Sequence, residues 1–378
     1  MKRLILTTLL VAGITAASAQ TAPAPAATQP ANQPKLHFPG PAENNHPPGM
    51  KEYPLGPDAT LAPGVPSGKL SDTQTLTSTI YTGMTTEYWI YVPAQYDPKT
   101  PAALMVMNDG GGDRQRTGGK PILNVIDNLI AKKKIPVLIC VLVSPGRIGD
   151  APGTPTYNFV NAYAQKWHRD LNDSMRSTEY DTVSDRYARF LRDELLPVVE
   201  KQYNIRPDAY SHGIMGSSSG GIAAVNATWQ MPDLFTRAIS WSGSFASIQW
   251  LEDPNVPAGG QDMPALVLHN PKKNIRVFLQ DGSNDQENAT YGSWPMGNIS
   301  LVNAFKLKGN DFGFTFGEGN HSASQGMSEF GPEMTWLWRD YTPAKTTQDF
   351  VQSDEEQKLA PFRMKLINRE QSPLDRSR

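Results

Sequence analysis

In the run Gly216-Ser217-Ser218-Ser219-Gly220-Gly221, residue types and spacing point most directly to chemistry. It follows the apolar pair Ile214-Met215 and opens the helical pattern Ile222-Ala223-Ala224-Val225. A Gly-x-Ser-x-Gly sequence between a strand and a helix holds a serine on a sharp, strained turn, with its hydroxyl free to attack a carbonyl. Glycine is needed on both sides because the chain passes close to itself there and a Cβ would block it. The helix start behind the turn offers backbone N–H groups and a positive dipole end to a developing oxyanion. Of the three serines, only Ser218 has glycine at both −2 and +2. Ser218 is therefore the expected nucleophile, and the N–H of Ser219 one expected oxyanion donor.

Such a serine needs a base, and the chain has six histidines to supply it. His37 and His46 lie in a proline-rich stretch, His168 in a polar one, His212 beside the elbow strand, and His269 ahead of the turn Asn270-Pro271. His321 sits among small residues in Gly317-Glu318-Gly319-Asn320-His321-Ser322, after the last expected strand, which is where a base reaching back to the elbow belongs. The orienting acid is expected after the preceding strand, Arg276–Gln280, where Asp281, Asp285 and Glu287 compete. The spacing Gly282-x-x-Asp285 leaves room to turn back and favours Asp285, while Asp281 also fits as a cap on the turn. A second oxyanion donor is expected from Gly110 and Gly111 in the loop Asp109-Gly110-Gly111-Gly112. Glu179, Tyr180 and Trp294 are candidate pocket neighbours that suit a core role equally well. The spacing of a calcium loop is absent, and Gly119-Lys120-Pro121 lacks what a phosphate cradle needs, so neither a metal nor a cofactor is expected.

These residues must be held by elements whose pattern alternates. Thr75–Tyr81 and Glu87–Val92 read as a hairpin around Gly83; Ala103–Asn108, Val137–Val143, Ser211–Met215, Arg237–Trp241, Ile275–Gln280 and Gly313–Gly317 read as strands. Helical patterns cover Ile122–Lys132, a long stretch to Glu200 capped by Asp181-Thr182 with Asp185 completing a capping box, Gly221–Gln230 and Gly297–Lys308, and Trp336–Tyr341 closes a final helix. Apolar strands alternating with amphipathic helices predict an α/β fold, a mostly parallel sheet covered on both faces.

Composition sets the outer limits. A formal net charge of −2 argues against a nucleic-acid partner. Lys2 and Arg3, the apolar stretch Leu4 to Thr15, and Ala17-Ser18-Ala19 read as a cleavable secretory leader over residues 1–19. No later segment holds the ~18 consecutive apolar residues a membrane span needs. The single cysteine, Cys140, lies in an apolar run and reads as buried core. Residues 20–69, rich in proline and alanine, read as a disordered linker or tail. A catalytic domain is expected over 70–343 and a charged tail over 344–378.

Asn108-Asp109-Gly110, the run Glu179 to Phe190, Met215 to Ile222 and Phe278-Leu279-Gln280-Asp281-Gly282 together resemble the enterochelin-esterase-like esterases. These are α/β-hydrolases close to carbohydrate esterase family one, which includes feruloyl and acetylxylan esterases. The resemblance spans about residues 75–341. It implies the α/β-hydrolase fold, a Ser-His-acid centre without a cofactor, and a small-molecule or polysaccharide-linked ester as substrate. Siderophore trilactones are the alternative substrate, and an acyltransferase would carry the same catalytic residues. Ahead of residue 70 the sequence predicts a tail rather than a siderophore-recognition domain. That leans the expectation toward a sugar or aryl ester met outside the cytoplasm.

Overall fold

The runs Ala103–Asn108 and Leu138–Val143 are buried at every position, as strands covered on both faces must be. The computed structural model describes residues 51–148, 175–248, 259–288 and 291–358. The leader expected over 1–19, residues 20–50 and His168 lie outside the described residues, as does the end of the chain from 359.

In chain order the strands are β1 (Lys69–Leu70), β2 (Gln74–Thr77), β3 (Met84–Val92), β4 (Ala103–Asn108), β5 (Leu138–Val143), β6 (Arg147–Ile148), β7 (His212–Ser217), β8 (Arg237–Trp241), β9 (Arg276–Asn284), β10 (Glu287–Asn288), β11 (Gly292–Ser293) and β12 (Asp311–Asn320). The helices that matter here are α1 (Ile122–Ala131), α2 (186–200), α3 (Ser219–Gln230), α4 (Met263–His269), α5 (Trp294–Lys308) and α6 (Ser324–Leu337). The main sheet runs β1-β3-β5-β4-β7-β8-β9-β12, with β2 and β6 also paired to β3. From β5 to β12 every pairing is parallel, and β3 joins β5 antiparallel.

The chain leaves β4 toward β5 on one side and continues from β7 to β8 on the other. The order of the sheet therefore reverses between β4 and β7. Crevices at the carboxyl ends of such strand pairs are where ligands bind in open α/β sheets. The glycine loop follows β4 and the serine turn follows β7, so the topology alone brings them together.

Alternate residues of each strand, including Met105, Met107, Cys140, Leu142, Met215, Ile239 and Phe278, form one apolar cluster with α1 and α6. The thiol of Cys140 is pushed up by burial and stays inert there. Against the other face lie α3 and α5, the latter packed on β9 and β12.

Two expectations change. The long helix starts at Arg186 after Asp185, and Asp185 makes no side-chain cap. Asp181 belongs instead to a separate wide helical turn, Ser177–Asp181, so the Thr182/Asp185 pair is not a capping box. Contacts with the domain also reach beyond the expected bounds of 70–343. The carbonyls of Asp58 and Thr60 accept the Asn128 amide at 2.8 Å each, and that of Ala59 accepts Asn124 Nδ2 at 2.9 Å. At the other end Phe350 is buried and Glu356 bonds the Trp336 indole at 2.7 Å. Several residues of 51–69 and 344–357 are thus held against the domain, by buried asparagines and a buried ring.

Candidate active site

The serine turn is built by close approach. A Cβ on Gly216 would collide with the carbonyl of Gly220, and one on Gly220 would stand 2.9 Å from Asp109 Oδ2 and 3.2 Å from Asn108 Cβ. Asn108 Nδ2 donates to Gly220 O at 3.0 Å and ties the end of β4 to the first turn of α3. Between these contacts Ser218 takes φ 58° and ψ −123°, a strained conformation that aims its hydroxyl out of the turn. Ser217 remains in β7 beside Trp241, and Ser219 is buried as the first residue of α3. Of the three serines, Ser218 alone meets the histidine.

His321 Nε2 lies 3.0 Å from Ser218 Oγ, and His321 Nδ1 lies 2.6 Å from Asp285 Oδ1. His321 follows β12, and Asp285 follows β9, the strand beside it. Asp285 is buried and also accepts the Gln286 N–H at 2.6 Å. Burial pushes its carboxyl up, but the neighbouring imidazole and the hydrogen bonds it receives hold it below the usual carboxylate range. Asp281 sits behind it. Burial and the charge of Asp285 push the Asp281 carboxyl well above that range. Asp281 accepts the N–H of Gly282 at 2.8 Å and Asn298 Nδ2 at 2.9 Å. Glu287 is used elsewhere, accepting Ser293 Oγ at 2.6 Å in the small β10–β11 hairpin.

The glycine loop after β4 packs rather than dangles. A Cβ on Gly110 would stand 2.5 Å from Leu142 Cα, and one on Gly111 2.7 Å from Ser144 Oγ. The loop therefore lies flat on β5, and its glycines are needed for that contact as much as for presenting N–H groups. Asp109 before them takes φ 57° and is gripped by Arg176, whose Nε and Nη2 donate to its two oxygens at 2.8 and 2.7 Å. Arg176 Nη2 also reaches Ser217 O at 3.3 Å, so one guanidinium spans both loops.

The expected pocket residues separate. Trp294 is at the centre, its ring edge-on to His321 with centroids 5.9 Å apart. Tyr180 is fully buried, its hydroxyl 3.4 Å from the Asp109 N–H, and it props the glycine loop from behind. Glu179 is buried too, accepting the Gly146 N–H at 2.8 Å, and burial pushes its carboxyl up to about 8. Tyr180 supports the glycine loop and Glu179 the segment after β5; both are buried rather than exposed to an open pocket.

The sequence reading missed Ser244, whose Oγ is 2.9 Å from Ser218 Oγ. A signal was present: Ser244 lies in the turn after β8, at the carboxyl end of a parallel strand next to the elbow. It also missed Arg176, for which a partner 67 positions away in sequence leaves no local signal. Among the described residues no group of three or more His, Cys, Asp or Glu side chains is arranged to hold a metal ion, and no helix is long and apolar enough to cross a membrane.

A family model described as "Putative esterase" matches residues 81–323, well over half of the chain. The chain belongs to this esterase family. The matched region contains the elbow, the acid loop and His321. Among curated proteins, the chain is similar to the "Uncharacterized protein YbbA" of Bacillus subtilis, 21% identical over 167 residues, 44% of this chain and 58% of that protein. Among solved structures it is similar to the enterochelin esterase of Shigella flexneri, with a TM-score of 0.53 and 20% identity over 76% of this chain and 62% of that one. It is also similar to a ferulic acid esterase of Anaeromyces mucronatus, solved with ferulic acid, with a TM-score of 0.54 and 15% identity over 74% of this chain and 94% of that one. The chain thus spans under two thirds of the length of the Bacillus and Shigella proteins. The fold of the chain is that of the α/β-hydrolases, a mostly parallel open sheet with helices on both faces.

Proposed function

We propose that this esterase is a serine carboxylic ester hydrolase working through an acyl-enzyme on Ser218. One observation carries the reading: an unbroken line from Asp285 through His321 to Ser218, at 2.6 and 3.0 Å, ending on a serine held at positive φ on the elbow. With Nδ1–H donated to Asp285, Nε2 is left as the acceptor for the hydroxyl proton. As Ser218 Oγ bonds to the ester carbonyl carbon, its proton passes to His321 Nε2. The carbonyl oxygen gathers negative charge, facing the N–H of Ser219 and the loop of Gly110 and Gly111. Collapse breaks the bond to the leaving alcohol, which takes the proton from Nε2. Water then repeats the sequence: Nε2 takes its proton, the hydroxide adds to the acyl carbon, and Ser218 leaves with the proton returned. No step requires a cofactor.

The substrate we propose is an acyl, acetyl or feruloyl ester on a sugar or aryl group, met outside the cytoplasm. The ferulic acid esterase among the similar structures supports the aryl-acyl choice, and the leader-like first 19 residues support export. Wild type and Ser218→Ala should be compared on an aryl acetate, methyl ferulate, acetylated xylan and catechol trilactone. Ser218→Ala should lose hydrolysis of whichever ester the wild type cleaves, and a fluorophosphonate probe should label the peptide carrying Ser218. Turnover surviving in Ser218→Ala but lost in Ser217→Ala or Ser219→Ala would overturn the assignment.

A further inference from the structure

The nucleophile's hydroxyl has a second neighbour besides His321. Ser244 Oγ lies 2.9 Å from Ser218 Oγ, and the same Ser244 Oγ lies 2.9 Å from the indole Nε1 of Trp294. An indole N–H only donates. It therefore occupies a lone pair of Ser244 and leaves that hydroxyl's own hydrogen to be given elsewhere. The proton of Ser218 is committed to His321 Nε2, so the bond between the two serines runs one way, from Ser244 to Ser218.

Backbone and side chain hold this arrangement from several sides. The Ser244 N–H donates to Ser218 O at 3.1 Å, tying the two turns together. Asn298 Nδ2 donates to Gly243 O at 2.8 Å, and Asn298 lies on α5 one turn beyond Trp294. Ser244 is fully buried and Trp294 is 2% exposed, so water does not compete for the hydroxyl. A hydrogen bond strengthens when its acceptor becomes charged, more so where water is excluded.

Resting on the acyl-enzyme reading above, we propose that Ser244 is a further catalytic residue, donating to Ser218 Oγ and stabilising the charge that oxygen carries in both half-reactions. In acylation the charge appears as the proton leaves for His321. In deacylation it appears again, as the bond from Ser218 Oγ to the acyl carbon breaks. In the acyl-enzyme between them that oxygen is an ester oxygen, a weak acceptor. The bond from Ser244 is therefore stronger in both transition states than in the ground states that precede them, which is the condition for raising turnover. The proton of Ser244 is never transferred. Trp294 acts through it as a positioning residue.

The test compares Ser244→Ala, Trp294→Phe, the double variant and Ser218→Ala on one aryl ester that the wild type hydrolyses. Ser244→Ala should lose on the order of 10–100-fold in kcat, with KM within about two-fold. Its rate of labelling by a fluorophosphonate should fall by a similar factor, and single-turnover decay of the acyl-enzyme should slow as well. Trp294→Phe keeps an aromatic ring beside His321 but removes the N–H, and should lose about 3–10-fold in kcat. In the Ser244→Ala background it should lose almost nothing further, since the donor it directs is gone. A packing role would instead lower the thermal midpoint and leave labelling and deacylation rates of the folded fraction unchanged. Wild-type kcat in either single variant, or additive losses in the double, overturns the proposal while the esterase reading stands on an inactive Ser218→Ala. Turnover in Ser218→Ala overturns both.

Discussion

Three non-glycine residues with positive φ, Asp109, Ser218 and Ser242, follow directly on the strands β4, β7 and β8. Strain of this kind persists where the surroundings over-determine it, and here it outlines the proposed site. The serine was legible in the sequence because glycines flank it at fixed spacing. For the acid, the spacing Gly282-x-x-Asp285 favoured Asp285 but left Asp281, four residues earlier, in competition. The fold separates them by contact: Asp285 meets the imidazole, while Asp281 accepts from Gly282 and Asn298. Asp285→Asn should cost up to ~10⁴ in turnover with little change in thermal midpoint, because the imidazole loses its orienting charge. Asp281→Asn should keep turnover within a few-fold, because Asp285 rather than Asp281 meets the imidazole. Stability should show Asp281 through pH. Its folded-state proton is held above the usual carboxylate range while the unfolded chain releases it there, so its contribution is full below that range and is lost as pH rises. Asp285, shifted the other way, acts only on the acid side. The midpoint of Asp281→Asn should therefore gain on wild type steadily between pH 5 and pH 9, Glu179 and Glu333 being common to both. Parallel curves would mean that Asp281 is ionised in the fold.

At the scale of elements, the alternating pattern was legible because each strand is a short apolar run bounded by turn residues. The boundary of α2 was not. Thr182 and Asp185 have the spacing of a capping box, yet Asn226 Nδ2 of α3 takes the Ser184 carbonyl at 2.7 Å and that tertiary bond shapes the entry instead. The strand-to-helix turn of the elbow depends on β7 and α3 approaching until two glycines touch. Gly216→Ala places a methyl group against the carbonyl of Gly220, and neither backbone can yield without moving Ser218. It should destabilise the fold by about 1–3 kcal/mol. It should also remove most esterase activity from the protein that remains folded. An equilibrium denaturation curve beside active-site titration checks both. Full activity per folded molecule would mean that the turn tolerates a wider approach.

For the molecule as a whole, residues 51–69, expected as linker, make contacts with the domain that the sequence did not suggest. Proline and alanine content suggested that residues before 70 could not bury enough surface to order themselves, and for an isolated segment that reasoning holds. What it could not include is that α1 carries two buried asparagines, Asn124 and Asn128, with no partners of their own on the helix. The segment near Ala59 satisfies both: Asn124 Nδ2 to Ala59 O, Asn128 Nδ2 to the carbonyls of Asp58 and Thr60, and the Ala62 N–H to Asn128 Oδ1 at 2.9 Å. Asp58 adds an ion pair with Lys132. Further back, the hydroxyl of Tyr53 accepts the Glu318 N–H at 2.7 Å, three residues before His321. The segment thus links α1 to the strand that leads into His321. A chain starting at residue 70 strips Asn128 of its bonds to Asp58, Thr60 and Ala62, leaving an amide worth about 1–3 kcal/mol if it remains buried and unpaired, while Asn124 keeps its bonds to Arg116 O and Nη1. That chain should be less stable than one starting at residue 51 by about 1–3 kcal/mol, after water reaches part of what is uncovered. If the Tyr53 contact also steadies the His321 loop, kcat should fall more than KM changes. Tyr53→Phe, in the chain starting at 51, isolates that contact from the loss of the asparagine bonds. Equal stability and activity of the two truncated chains would show that water alone satisfies α1, and that the segment merely rests on the surface.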